Sequence, residues 1–180
     1  LSSSIALPPT SDFCPLISNL CSYLRPMKIK FAIIGFGHIG RKHYNMILGN
    51  VEAEVVAICD PYLEEESVDG IPVFKDIEQM LISMPQIDVV NICTPNGLHA
   101  EQSIICINHG KHVVVEKPMS LTKKDAENVI FHALNKHVKI FCVMQNRYTA
   151  NAQFLKHLIV NNQLGNVKEV VVNLFWNRDK

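Results

Sequence analysis

From residue 29 onward, short apolar runs alternate with segments of helical periodicity. The runs at 30–34, 55–59, 89–93, 113–115 and 139–144 are predominantly apolar, as strands buried on both faces of a parallel sheet must be. Between them, residues 38–48, 77–83, 97–109 and 123–135 place apolar side chains at helical spacing. Strand–helix–strand repetition implies a parallel sheet covered by helices on both faces, and right-handed crossovers make it doubly wound. Ile71-Pro72-Val73-Phe74 predicts a short edge strand, the position where a proline is tolerated. No internal repeat interrupts the pattern.

After Arg147 the rhythm changes. Residues 151–161 read as a helix, Leu164-Gly165-Asn166 as a turn, and 168–176 as a long strand. A long strand with no successor is not a finished sheet. The expected fold is therefore α/β: a doubly wound parallel Rossmann sheet over residues 27–147, followed by the truncated start of a second α/β domain at 148–180. Residues 1–26 differ from both. They are rich in Ser and Pro, carry Pro8-Pro9, and contain Arg25 as their one basic residue. That composition lacks the basic head and apolar core of a secretory signal. It is read as a disordered or artefactual leader, with an organellar transit peptide as the alternative.

Composition narrows the function classes. Lys and Arg total 17 and so do Asp and Glu, which gives no general attraction to nucleic acid or anionic membranes. The apolar runs are far too short to span a bilayer. The six cysteines, Cys14, Cys21, Cys59, Cys93, Cys106 and Cys142, form no CxxC pair. Those inside strand runs behave as small apolar residues, and a reduced, cytoplasmic setting is the simplest account. The eight histidines are scattered, and His38 and His43 are not at i, i+4 spacing, so no metal site is expected.

Candidate chemistry begins at Gly35-Phe36-Gly37-His38-Ile39-Gly40, a GxGxxG string directly after a strand and opening a helix. Gly35 permits the tight turn, Gly37 lets the backbone approach a pyrophosphate, and Gly40 lets the helix pack closely on the strand. All six residues, Phe36 included, are expected to contact the cofactor, with the free N–H groups at the start of that helix facing the phosphates. Asp60 closes the second strand at the distance the dinucleotide fingerprint expects, where its carboxylate can accept hydrogen bonds from both adenosine ribose hydroxyls. It would repel a 2′-phosphate, favouring NAD over NADP, although nearby Arg41 could recruit that phosphate. Without a nucleotide, Asp60 would serve only as a turn former before Pro61.

Two further segments fall at strand ends, on the side where open α/β sheets bind ligands. They are Cys93-Thr94-Pro95-Asn96-Gly97-Leu98-His99 and Val115-Glu116-Lys117-Pro118. Together with the glycine loop they resemble the glucose–fructose oxidoreductase / inositol dehydrogenase / rhizopine catabolism (Gfo/Idh/MocA) family over roughly residues 28–180. Within it, Gln145-Asn146-Arg147-Tyr148 and Trp176-Asn177-Arg178 look most like the dehydrogenases of UDP-N-acetylglucosaminuronate-type substrates.

The resemblance implies an NAD-dependent dehydrogenase that oxidises a ring hydroxyl of a sugar or sugar nucleotide. Lys117 would take the hydroxyl proton, since a secondary alcohol cannot release hydride unless its proton also leaves. Burial beside the nicotinamide would lower the lysine's proton affinity. Glu116 would reach toward the nicotinamide ribose, or merely pair with Lys117. Pro118 forces an extended Lys117 and allows a cis bond. Thr94, Pro95 and Asn96 would line the nicotinamide side, with His99 either touching the cofactor or packing the next helix. Asn146 and Arg147 would face the nicotinamide ring or the substrate, Arg147 could equally bridge the two domains, and Trp176 and Arg178 would meet the substrate. The family's Asp-x-x-x-His pair would lie beyond Lys180, so these residues alone should bind NAD but turn over nothing efficiently. Relatives also suggest a homo-oligomer through the second domain. A non-catalytic NAD-binding regulator of the same fold is the alternative reading; retention of Lys117 argues against it.

Overall fold

The structure, a computed structural model, describes residues 28–173 and Phe175. The leader at 1–26 lies outside the described residues, as do Trp176 and Arg178. Seven strands form the sheet: β1 (Ile29–Ile34), β2 (Ala53–Cys59), β3 (Ser67–Val68), β4 (Ile71–Phe74), β5 (Val89–Ile92), β6 (His112–Val115) and β7 (Ile140–Cys142). Their order is β3-β4-β2-β1-β5-β6-β7, and every pairing but β3 with β4 is parallel. Setting aside β3, this is the doubly wound dinucleotide-binding order, with its reversal point between β1 and β5.

The helices divide between the two faces as the residue alternation dictates. Helix α1 (His38–Leu48) buries Tyr44 and Ile47 against Ile33, Ile58 and Val55 on one face. On the other, α2 (Ile77–Ser83), α3 (His99–Asn108) and α4 (Lys123–Asn135) cover Ala32, Ile34, Ala57, Val90, Ile92, Val113 and Val115. Each fully buried branched side chain contributes roughly 1.5–3 kcal/mol. Capping is local and explicit: Asp76 accepts from Gln79 N at 2.8 Å to start α2, and Thr122 accepts from Asp125 N at 3.1 Å to start α4.

Three expectations need correction. Residues 71–74 are a strand but not the edge, because β3 adds antiparallel beyond them with Ser67 opposite Pro72. Asp69 and Gly70 make the turn, at φ +50° and +80°, the conformation a two-residue hairpin loop requires. Residues 97–109 are not one helix: a 3₁₀ turn, Asn96–Leu98, precedes α3 after the extended Pro95. Residues 168–173 form no strand and are exposed, since no partner strand lies beside them among the described residues. The described chain divides into two units between Cys142 and Val143. The second contains a 3₁₀ turn, Gln145–Tyr148, and helix α5 (Ala150–Val160), capped by Thr149. No helix among the described residues is long and apolar enough to cross a membrane.

Candidate functional site

Parallel register gathers the chemistry at one end of the sheet. Cys59, Ile34, Ile92 and Val115 pair in one row across β2, β1, β5 and β6. The next residue on each strand is therefore Asp60, Gly35, Cys93 and Glu116, at neighbouring positions about 4.8 Å apart. Backbone bonds pin the row: Gly35 N donates to Cys59 O at 2.9 Å and Cys93 N to Ile34 O at 2.8 Å.

The glycine loop is crowded at two of its three glycines. Gly35 sits at φ +84°, and a Cβ there would lie 2.9 Å from Thr94 Cγ2 and 3.0 Å from the Cys93 carbonyl. A Cβ on Gly40 would fall 2.0 Å from the Gly35 carbonyl oxygen, so this glycine lets α1 press against the loop rather than mainly against the strand. Gly37 is different: a Cβ there would meet no protein atom within 4 Å. Its missing side chain serves something other than packing. Gly37 also caps α1 without a side-chain hydrogen bond, leaving the first-turn amides of His38, Ile39 and Gly40 without a side-chain acceptor from the cap. His38 and Ile39 are exposed there. An open cradle at a bare helix N-terminus fits a diphosphate.

Phe36 plays an indirect part. Its N–H donates to Asp60 Oδ2 at 2.7 Å, and its ring is buried edge-on against Tyr44 with centroids 5.5 Å apart. Neither its amide nor its ring is left for a ligand, which corrects the expectation of direct contact. Asp60 also accepts from Tyr62 N through Oδ1 at 2.9 Å. The turn-forming role is thus real, yet each oxygen has used one acceptor position and an ionised carboxylate offers about four. Two remain for a vicinal diol. Arg41 lays its guanidinium over the Phe36 ring, 4.7 Å from the centroid.

At the β5 and β6 ends, Thr94 packs on Gly35 and donates its hydroxyl to Gln102 Oε1 at 2.6 Å. Pro95 and Asn96 are exposed. His99 takes a packing role. It is fully buried, with Nδ1 2.7 Å from the Pro118 carbonyl and Nε2 2.8 Å from the Thr94 carbonyl. Both ring nitrogens are engaged by backbone, so the residue ties the two loops together instead of touching a cofactor. The Lys117–Pro118 peptide is cis. Lys117 is exposed.

Glu116 does not pair with the Lys117 ammonium. Its Oε1 lies 3.1 Å from His43 Nε2, and its Oε2 accepts from Lys117 N at 3.2 Å. His43 Nδ1 is in turn 2.9 Å from Asn91 Nδ2. Sequence reading overlooked His43 and Asn91. The available signal was spacing, since His43 follows Gly40 by three residues on the sheet-facing side of α1. Burial pushes the Cys93 thiol up to about 12, with the Glu116 charge adding to it, and burial does the same for Cys59 with help from Asp76 and Asp60. Neither thiol beside the site is a nucleophile near neutrality. Asn146 and Arg147 are exposed in the 3₁₀ turn of the second unit.

Known proteins share the fold that carries these residues. The Gfo/Idh/MocA model, described as an oxidoreductase family with an NAD-binding Rossmann fold, matches residues 29–144. D-glucoside 3-dehydrogenase of Escherichia coli K12 is 28% identical over 145 residues, covering 77% of this chain and 41% of that protein. The scyllo-inositol 2-dehydrogenase (NADP(+)) IolW of Bacillus subtilis 168 is 30% identical over 148 residues, covering 81% and 41%. The crystal structure of the WlbA dehydrogenase from Bordetella pertussis, in complex with NADH and UDP-GlcNAcA, superposes with a TM-score of 0.73 at 34% identity, covering 77% of this chain and 43% of that one. The chain spans about two-fifths of the length of the curated relatives it matches.

Proposed function

The chain belongs to the Gfo/Idh/MocA oxidoreductase family, and from that premise we propose that it binds NAD and serves oxidation of a ring hydroxyl on a sugar, polyol or sugar nucleotide. The observation that carries this reading is the open cradle at Gly37 beside an Asp60 with acceptor positions to spare. The amides of His38, Ile39 and Gly40 hold the diphosphate, and Asp60 grips the adenosine ribose diol. Its negative charge disfavours a 2′-phosphate, so NAD is preferred over NADP. NAD⁺, when bound, accepts the hydride.

The protein's own residues do the rest. Glu116 orients the nicotinamide ribose from the end of β6, while Thr94, Pro95 and Asn96 wall that side. Lys117, extended by Pro118, takes the hydroxyl proton as the hydride leaves, so no oxyanion accumulates. Free thiols at Cys59, Cys93 and Cys106 suit a cytoplasmic protein, and its partners are the small-molecule substrate and further copies of itself.

The test is Lys117→Ala in a catalytically competent polypeptide carrying this chain. Turnover of NAD⁺ with sugars, inositols or UDP-sugars should fall by at least two orders of magnitude with NADH affinity unchanged. Retained turnover would overturn the assignment of the base. A biological output indifferent to the substitution would favour a regulator.

A further inference from the structure

Three side chains from separate elements converge behind the candidate catalytic end of the sheet: Asn91 on β5, His43 on α1 and Glu116 after β6. Asn91 is 4% exposed, and the His43 and Glu116 side chains are 13% exposed each. We propose that His43 is a positioning residue, which donates its Nε2 hydrogen to Glu116 Oε1 and so fixes the carboxylate that orients the nicotinamide ribose. The inference rests on the cofactor reading above.

Hydrogen accounting supports the direction of that bond. With the Asn91 amide nitrogen facing Nδ1 at 2.9 Å, Asn91 donates and the single hydrogen of a neutral ring sits on Nε2. With the amide turned over, its oxygen would accept a hydrogen from Nδ1. Nε2 could then face an ionised Glu116 only by carrying a hydrogen as well. Both arrangements place a hydrogen on Nε2, 3.1 Å from Glu116 Oε1. The Asn91 oxygen is buried with no partner among the described residues, so half of this amide goes unsatisfied while the other half holds the ring.

The consequence is mechanical. Glu116 Oε2 already takes the Lys117 amide at 3.2 Å, so His43 on Oε1 supplies the second tether. Two tethers set the carboxylate plane and, through the backbone, the start of the Lys117 segment. An untethered glutamate at a strand end would sample several rotamers and lose order that binding would then have to restore. His43 touches neither substrate nor cofactor in this account. It acts through Glu116.

The experiment compares His43→Leu, which removes the donor, with His43→Gln, which retains an N–H toward Glu116. NADH affinity is read by fluorescence titration of the 180-residue chain, folding by circular dichroism, and ring protonation by ¹⁵N-detected imidazole NMR. The leucine variant should bind NADH about tenfold more weakly, the loss of one hydrogen bond to a charged group. The glutamine variant should recover most of that. The wild-type ring should carry its hydrogen on Nε2, with a resonance that moves in Glu116→Gln. Equal affinity in all three proteins, equal loss in both variants, or a bare Nε2 would overturn the proposal. If His43→Leu does not fold, the glutamine variant and the NMR signal decide it. A wild-type chain that ignores NADH while showing the Nε2–Glu116 signal would instead remove the cofactor reading, and this role with it.

Discussion

Gly37→Ala separates fold from function most cleanly. Gly37 sits at φ −72° and ψ −159°, a backbone open to alanine, and the added Cβ meets no protein atom within 4 Å. Restricting the unfolded chain gains about 0.4–1 kcal/mol, while alanine caps a helix less well than glycine by a comparable amount. Net stability should shift by no more than about 0.5 kcal/mol. Binding should respond very differently, because the methyl would stand where a pyrophosphate oxygen approaches the α1 amides. Losing two hydrogen bonds to a charged group, at roughly 1.5 kcal/mol each, gives about 3 kcal/mol, or roughly a hundredfold in Kd. Gly40→Ala is the control in the opposite direction. Its Cβ would lie 2.0 Å from the Gly35 carbonyl oxygen, where neither backbone can retreat, at a cost of about 3 kcal/mol. Urea unfolding and NADH titration on both variants read the two axes. A Gly37→Ala chain that binds NADH as tightly as wild type would refute the phosphate cradle.

Other predictions follow the same geometry. Asp60→Ala removes the acceptor of Phe36 N and Tyr62 N as well as the ribose ligand, so both unfolding midpoint and NADH affinity should drop, and NADPH should close the gap on NADH. A variant with unchanged NADH affinity would leave Asp60 as a turn former only. Burial raises the Cys59 and Cys93 thiols from 9.0 to about 12, and burial with the Asp69 hydrogen bond raises Tyr44 from 10.0 to about 12. Folded values above unfolded ones mean that stability from these groups is intact below pH 9 and lost as pH climbs from 9 toward 12. Urea midpoints at pH 8 and pH 10.5 should show the fall, and a flat profile would contradict it.

Much of this molecule was legible because the governing signals are local. A strand, the loop Gly35–Gly40 and a helix lie within 20 residues, and Asp60 follows on the next strand. Other features are nonlocal and stayed hidden. Asn91 and His43 are 48 residues apart and His43 and Glu116 are 73 apart, and each is unremarkable alone. The burial of His99 between two carbonyls depends on the Pro118 carbonyl coming back to the first residue of α3. Strand β3 is two residues long, too short for any alternation, and the Asp69-Gly70 turn that joins it to β4 went unread. Phe36 misled because its place in the glycine string says nothing of where its amide points.

Isothermal calorimetry of the folded chain with NADH and with NADPH bears most directly on the claim that a glycine bend and a strand-end carboxylate recognise a dinucleotide. One molecule of NADH should bind per chain at micromolar to low millimolar ligand, with NADPH weaker. Absence of heat from either nucleotide at several millimolar would contradict the account.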